Sequence, residues 1–290
     1  MKVLPYSLAT DGSNDNGLLK MNLLTVRIYD VNHGKMTTSL LDKSHSTRGT
    51  ANEVFEAIDS CMTSHHIPWE NCVAVGIDNT NVNVGKHNSI MTRVKAKNDT
   101  VYFSGCQCHV VHNTSARAAS TLTSLTGFDL EDLMVDVFYW FNYSTKRKAV
   151  LAEYAEFCDQ EYKKILKYVS TRWLSLEQAI TRVLKQYVSL RSYFLSEDDE
   201  GQLRFQRLKR AFSNPMTEVY LLFYQSALQI FINLNLFLQR QGPLIGSVSS
   251  SLKRFLRLLA CKFISPQSVK AASTFKELLD VQKHREGNIV

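Results

Sequence analysis

Hydrophobic periodicity changes once along this chain, at Cys106, and the change dictates a fold in two parts. Before Cys106, short β-branched runs alternate with turn residues. After it, every apolar pattern repeats at helical spacing and no strand pattern returns. Residues 1–45 read as three strands, Leu4 to Thr10, Leu19 to Tyr29 and Thr37 to Leu41. Asn14-Asp-Asn-Gly17 and His33-Gly34 supply the turns, so an antiparallel meander is expected. Thr47-Arg-Gly-Thr-Ala-Asn52 introduces a helix over 50–64, with Val54, Phe55, Ile58 and Met62 on the face that covers the sheet. Pro68 and Trp69 end it, and Cys72 to Ile77 reads as a buried strand. A turn from Asn79 to Gly85, a helix to Ala96 and a strand from Thr100 to Ser104 complete the first part.

Helical segments follow at 107–122, 129–164, 174–195, 202–212, 216–241 and 243–264. Thr126-Gly127, Glu197 to Gly201, Asn214-Pro215 and Gly242-Pro243 separate them. Asn214-Pro-Met-Thr-Glu218 is a helix start, and the helix it opens, Val219 to Leu238, is apolar on most faces and is expected to be buried. The fold class that follows is an α/β mixed sheet of about five strands over residues 1–106, with the element order of an RNase H-like domain. A large all-helical region occupies 107–290.

A net charge of +7 admits nucleic acid as a partner without requiring it. Basic residues on the helical region could form a phosphate-binding stripe: Lys146-Arg-Lys148, Arg182 and Lys185, Arg204, Arg207, Lys209 and Arg210, and Lys253, Arg254 and Arg257. Read singly, each cluster is a solvated helix face. The six cysteines lack the rhythm of a disulfide framework, and neither a signal peptide nor an apolar run of about 18 residues stands out. The expected setting is intracellular and reducing, nuclear or cytoplasmic, with no membrane partner.

Chemistry is concentrated in a few stretches. Asp78 follows the strand Cys72 to Ile77, and Asp11 follows the strand-like run Tyr6-Ser-Leu-Ala-Thr10. An acid after a strand is ordinary turn chemistry, its side chain capping the backbone beyond it. Two acids delivered by two strands also suit a divalent cation such as Mg²⁺ or Mn²⁺, which takes oxygen ligands. Cys106, Cys108, His109 and His112 gather four zinc-type ligands in seven residues. No second Cys/His pair has comparable spacing, His65-His66 being the nearest. The bland alternative is that Cys106 ends the last strand and His109 and His112 turn toward the carboxylates or helical neighbours. Ser170-Thr-Arg172-Trp173-Leu-Ser175 pairs a guanidinium with a large ring, a combination that suits a frayed nucleotide and its phosphate, or a packed core.

Together these residues resemble the catalytic region of hAT-superfamily transposases, in particular the domesticated, BED-zinc-finger-associated proteins derived from them. The resemblance rests on Ala9-Thr-Asp11-Gly-Ser-Asn-Asp-Asn-Gly17, Val75-Gly-Ile-Asp78-Asn-Thr-Asn-Val-Asn-Val-Gly85, Cys106-Gln-Cys-His109-Val-Val-His-Asn113 and Ser170-Thr-Arg172-Trp173-Leu-Ser175, in the family's order. Pro215 to Tyr224 and Asn235 to Ile245 add to it. The resemblance implies an RNase H-like core interrupted after its fifth strand by a helical insertion. It also implies Asp11 and Asp78 as two of three catalytic acids holding Mg²⁺ or Mn²⁺, with Arg172, Trp173 and His109 near a DNA end.

Departures temper that expectation. The family's third acid, a Glu beyond the insertion, is not identified: Glu277 and Asp280 are the late acids on a plausible helix, and neither is assigned. The last part of the core, the dimerisation segment and an N-terminal BED finger are expected to be missing, and Gln241-Gly242 stands where relatives tend to be acidic. The expectation is a truncated or domesticated transposase-like protein that keeps DNA or protein binding and lacks cleavage and strand transfer. A metal-dependent nuclease or transposase completed by a third acid, and a non-catalytic protein-interaction module, are the alternatives.

Overall fold

A computed structural model of the chain describes residues 1–14, 20–169, 175–199, 201–278 and 280. It divides into two compact units, Met1–Val110 and Val111–Val290.

The first unit is built on one mixed sheet. Its strands are β1 (Tyr6–Asn14), β2 (Lys20–Asp30), β3 (Lys35–Ser46), β4 (Cys72–Ile77) and β5 (Tyr102–Gly105), in the order β3-β2-β1-β4-β5. β1, β2 and β3 pair antiparallel as the expected meander, whereas β4 runs parallel to β1 and β5 parallel to β4. The β2–β3 turn is set by Asp30, whose Oδ1 accepts the N–H groups of Asn32 at 3.0 Å and His33 at 3.2 Å. Gly34, at φ 61°, closes the turn in the left-handed region that a side chain disfavours. Two strands outrun their apolar patterns. β1 continues through Asp11 to Asn14 because β2 pairs with it from Tyr6↔Ile28 to Asn14↔Lys20. β3 extends to Ser46 because its polar end pairs with Lys20 to Leu24.

α1 (Ala51–Ser64) starts at Thr50, whose hydroxyl accepts the Glu53 N–H. The Glu53 carboxylate in turn accepts the N–H groups of Thr47, Arg48 and Gly49. The expected single helix after Asp78 is two, α2 (Asn81–Val84) and α3 (Ile90–Lys97), the latter opened by a reciprocal Ser89–Thr92 capping box. Val54, Phe55, Ile58 and Met62 of α1 and Ile90 and Val94 of α3 share one core with Leu8, Leu24, Val26, Val75 and Ile77 of the sheet. Each such buried side chain stabilises the fold by about 1.5–3 kcal/mol.

α4 (Gln107–Thr126) leads into the helical unit. It is followed by α5 (Leu130–Asn142), α6 (Thr145–Phe157), α7 (Leu176–Leu184), α8 (Tyr187–Ser196), α9 (Leu203–Ser213), α10 (Met216–Leu238), α11 (Ile245–Ala260) and α12 (Pro266–Ala271). The continuous helix expected over 129–164 is broken: Ser144 caps α6 through the Arg147 N–H, and residues 160–169 are not helical. Gln186 sits at the break between α7 and α8, and its side chain holds the segment before them. Fully buried, it accepts the Lys163 N–H through Oε1 and donates to the Lys163 carbonyl through Nε2, each at 2.8 Å. Trp140, Phe141, Tyr193, Phe194, Phe205 and Phe212 form the aromatic centre of this unit.

α10 departs from the expectation of burial on most faces. Only a stripe, Thr217, Leu221, Tyr224, Leu228, Phe231 and Leu234, is buried, while Val219, Leu222 and Leu236 are exposed. Among the described residues it is also the one helix long and apolar enough to cross a membrane, contrary to the expectation of no such run. Its stripe enters the cores of the helical unit, and Gln225, Gln229, Asn233 and Asn235 interrupt its other faces.

Candidate functional site

The two acids singled out in the sequence meet at one place. β1 and β4 pair in parallel register as Ser7↔Ala74, Leu8↔Val75 and Ala9↔Gly76. Asp11 and Asp78 each lie two residues beyond the last of these pairs. Both line a cleft of about 200 Å³ together with Thr10, Gly12, Asn22, Gly49, Val54, Thr80, Val82, Asn83 and Ile90. Asp11 differs from the expectation in one respect: it lies within β1, paired to Leu23, and not in a turn after it. Its side chain is exposed.

Asp78 stands at the end of β4 and does double duty. Its Oδ1 accepts the Thr80 N–H at 3.0 Å and a short hydrogen bond from the Asn83 amide, which is the turn-capping role expected of an acid after a strand. Partial burial works against its charge. The hydrogen bonds from Thr80 and Asn83, with the positive influence of His109, outweigh burial and hold the carboxyl below the usual carboxylate range.

The chain reaches His109 through a tight junction. The Cys106 N–H donates to the Ile77 carbonyl at 2.9 Å, and Asn79 Nδ2 donates to the Cys106 carbonyl at 3.1 Å. A Cβ on Gly105 would come within 1.9 Å of Asn79 Oδ1, so a larger residue there would have to push the Asn79 side chain aside. Cys106 therefore follows the last strand directly, and His109 lies in the first turn of α4, where it favours the ionised form of Asp78.

The lining suits a hard cation. Among the described residues, Asp11 and Asp78 are the carboxylates that line it, and Thr10, Asn22, Thr80 and Asn83 add hydroxyl and amide oxygens, the donor type that Mg²⁺ and Mn²⁺ take. The four zinc candidates behave differently. Among the described residues, the one group of three or more His, Cys, Asp or Glu side chains with ligating atoms within 4.8 Å of one another is Asp42, Cys61 and His65. Cys106, Cys108, His109 and His112 do not gather in that way. Arg172 and Trp173 lie outside the described residues.

Several side chains proposed for a basic stripe have other work. Arg204 and Arg207 both bind Asp136. Arg147 covers the Trp140 ring and pairs with Asp199, Arg182 donates to the Lys164 carbonyl, and Arg257 donates to that of Ala272. Glu277 accepts the Ser273 N–H and the Thr274 hydroxyl, a local capping role. Helical spacing brings basic residues to one face but carries no record of acids and carbonyls from distant segments. No family model matches the chain.

Proposed function

We propose that the chain is a hAT-transposase-derived protein whose RNase H-like unit keeps a two-carboxylate divalent-cation site, with residual DNA or protein binding and without DNA cleavage. The observation that carries this reading is the convergence on one cleft of Asp11, in β1, and Asp78, directly after the adjacent parallel strand β4. The strand order β3-β2-β1-β4-β5, followed by a long helical region, supports the RNase H-like assignment. In that role Asp11 and Asp78 would hold Mg²⁺ or Mn²⁺, and the bound ion would activate a water or a 3′-hydroxyl toward a phosphodiester. Thr80 and Asn83 keep Asp78 ionised and aimed, and His109 also favours its ionised form. With two carboxylates lining the cleft among the described residues, an ion would be held less firmly than by three, and the geometry for in-line attack would be incomplete. The internal use of Arg147, Arg182, Arg204 and Arg207 favours a second reading for the helical unit, a surface for protein partners more than for phosphates.

The test is a Mn²⁺ titration of the purified chain, followed by incubation with nicked or terminal-repeat DNA. Expected are Mn²⁺ binding lost in Asp78→Asn and Asp11→Asn, salt-dependent DNA retention, and no cleavage. Cleavage that disappears in Asp78→Ala would replace this proposal with the active-nuclease reading. Mn²⁺ binding indifferent to both substitutions would remove the metal site.

A further inference from the structure

We propose a zinc site at the edge of the sheet, formed by Cys61 and His65 at the end of α1 and Asp42 on β3. The sulfur, imidazole and carboxylate ligating atoms lie within 4.8 Å of one another. A tetrahedral Zn²⁺ with bonds of about 2.0–2.3 Å brings its ligand atoms to about 3.3–3.8 Å apart, so inward movements of about 1 Å would complete the coordination. Two of the ligands are held by secondary structure. Cys61 and His65 are four residues apart on one helical face, with the His65 N–H donating to the Cys61 carbonyl at 3.1 Å. The third comes from β3, the strand at the sheet edge, two positions from β1.

The donor set selects the metal. A thiolate and an imidazole are borderline-soft ligands that suit Zn²⁺ and disfavour Mg²⁺ or Ca²⁺, and one carboxylate is an accepted third ligand. Burial grades across the site: Cys61 is buried, Asp42 half-buried and His65 exposed. The fourth position therefore opens to water on the His65 side. Burial, together with the Asp42 carboxylate, pushes the Cys61 thiol up to about 11. Zn²⁺ would displace the thiol proton to solvent and give Asp42 a cation to face. Bound there, the metal would tie the end of α1 to β3. This site is separate from the Asp11–Asp78 cleft, shares no residue with it, and does not depend on the function proposed for that cleft.

Zn²⁺ titration and elemental analysis of the full, tag-free chain test the proposal, with Co²⁺ absorption as the spectroscopic signature of a thiolate ligand. Expected are a single stoichiometric equivalent of Zn²⁺, a thiolate-to-Co²⁺ charge-transfer band, and loss of stoichiometric binding in Cys61→Ser and His65→Gln. A Cys106→Ser/Cys108→Ser chain keeps both. His65 is exposed, so His65→Gln reads the site without disturbing the core, and a thermal melt of each variant checks its folding. No zinc uptake by the parent chain, uptake unchanged in a folded His65→Gln, or uptake lost in a folded Cys106→Ser/Cys108→Ser chain would each overturn the proposal.

Discussion

Arg207 grips Asp136 at two points, Nε to Oδ2 at 2.6 Å and Nη2 to Oδ1 at 2.7 Å, joining α9 to α5. Arg204 adds a third hydrogen bond, from Nε to Oδ1 at 3.0 Å. Asp136 is 6% exposed, so its charge is tolerable only with this clamp around it. Both arginines reach it from the solvent side, which makes the clamp a structural joint and removes two cations from any phosphate-binding surface.

Asp136→Asn is expected to destabilise the helical unit by about 1–2 kcal/mol, discounted because the arginines are half-exposed and resolvate. Burial raises the Asp136 carboxyl, but the hydrogen bonds and charges of Arg207 and Arg204 outweigh it and hold the group below its ordinary value. A carboxyl with a depressed folded pKa contributes stability that is present above the unfolded value of about 3.9 and is lost as pH falls through the folded pKa. Denaturant melts between about pH 5 and pH 2 should therefore show a shallower acid limb in Asp136→Asn than in the parent chain. Parallel limbs in the two chains would deny Asp136 this role.

Asn83→Ala is expected to raise the Asp78 pKa. The substitution deletes one of the hydrogen bonds that offset burial, leaving the Thr80 bonds and the influence of His109. Carboxyl-carbon NMR titration reads the shift directly. The same variant should lose Mn²⁺ at a higher pH on acidification, since protonation of Asp78 competes with the metal. An unmoved titration curve would mean that the Asn83 amide does not hold this carboxylate.

Gly105→Ala should destabilise the sheet unit by about 1 kcal/mol, chiefly through loss of the Asn79–Cys106 hydrogen bond as the Asn79 side chain is pushed aside. In an Asn79→Ala background, where the obstructing oxygen is absent, most of the penalty should disappear. Chemical denaturation of the four chains in this double-mutant cycle measures the coupling. Equal penalties in both backgrounds would place the strain elsewhere.

Much of the sheet unit was legible because its signals are local. The β-branched run ending at Ile77, the Asp30 to Gly34 turn and the apolar spacing of α1 each express a preference that neighbouring residues suffice to set. Asp11 and Asp78 stood out as candidate ligands for the same reason, as acids after strand-like runs. Boundaries were less legible where pairing overrode composition. Asp11 to Asn14 look like turn residues, yet β2 offers them backbone partners and they remain strand. In the helical unit, the breaks at Ser144 and Gln186 interrupt periodic patterns. A buried Gln amide bonding to Lys163 is a contact between segments that no period encodes.

The sequence by itself determined the switch from strands to helices at Cys106, the expected meander and the residue types available for metal and phosphate chemistry, because periodicity and turn preference act over a few residues. Tertiary structure alone decided which of those residues meet. It placed Asp11 and Asp78 on one cleft through the parallel β1–β4 register, turned Arg204 and Arg207 onto Asp136, and brought Asp42 from β3 to Cys61 and His65. Convergence of side chains distant in sequence depends on strand order and helix docking. Those are set by burial of the whole apolar surface and not by any short stretch of it.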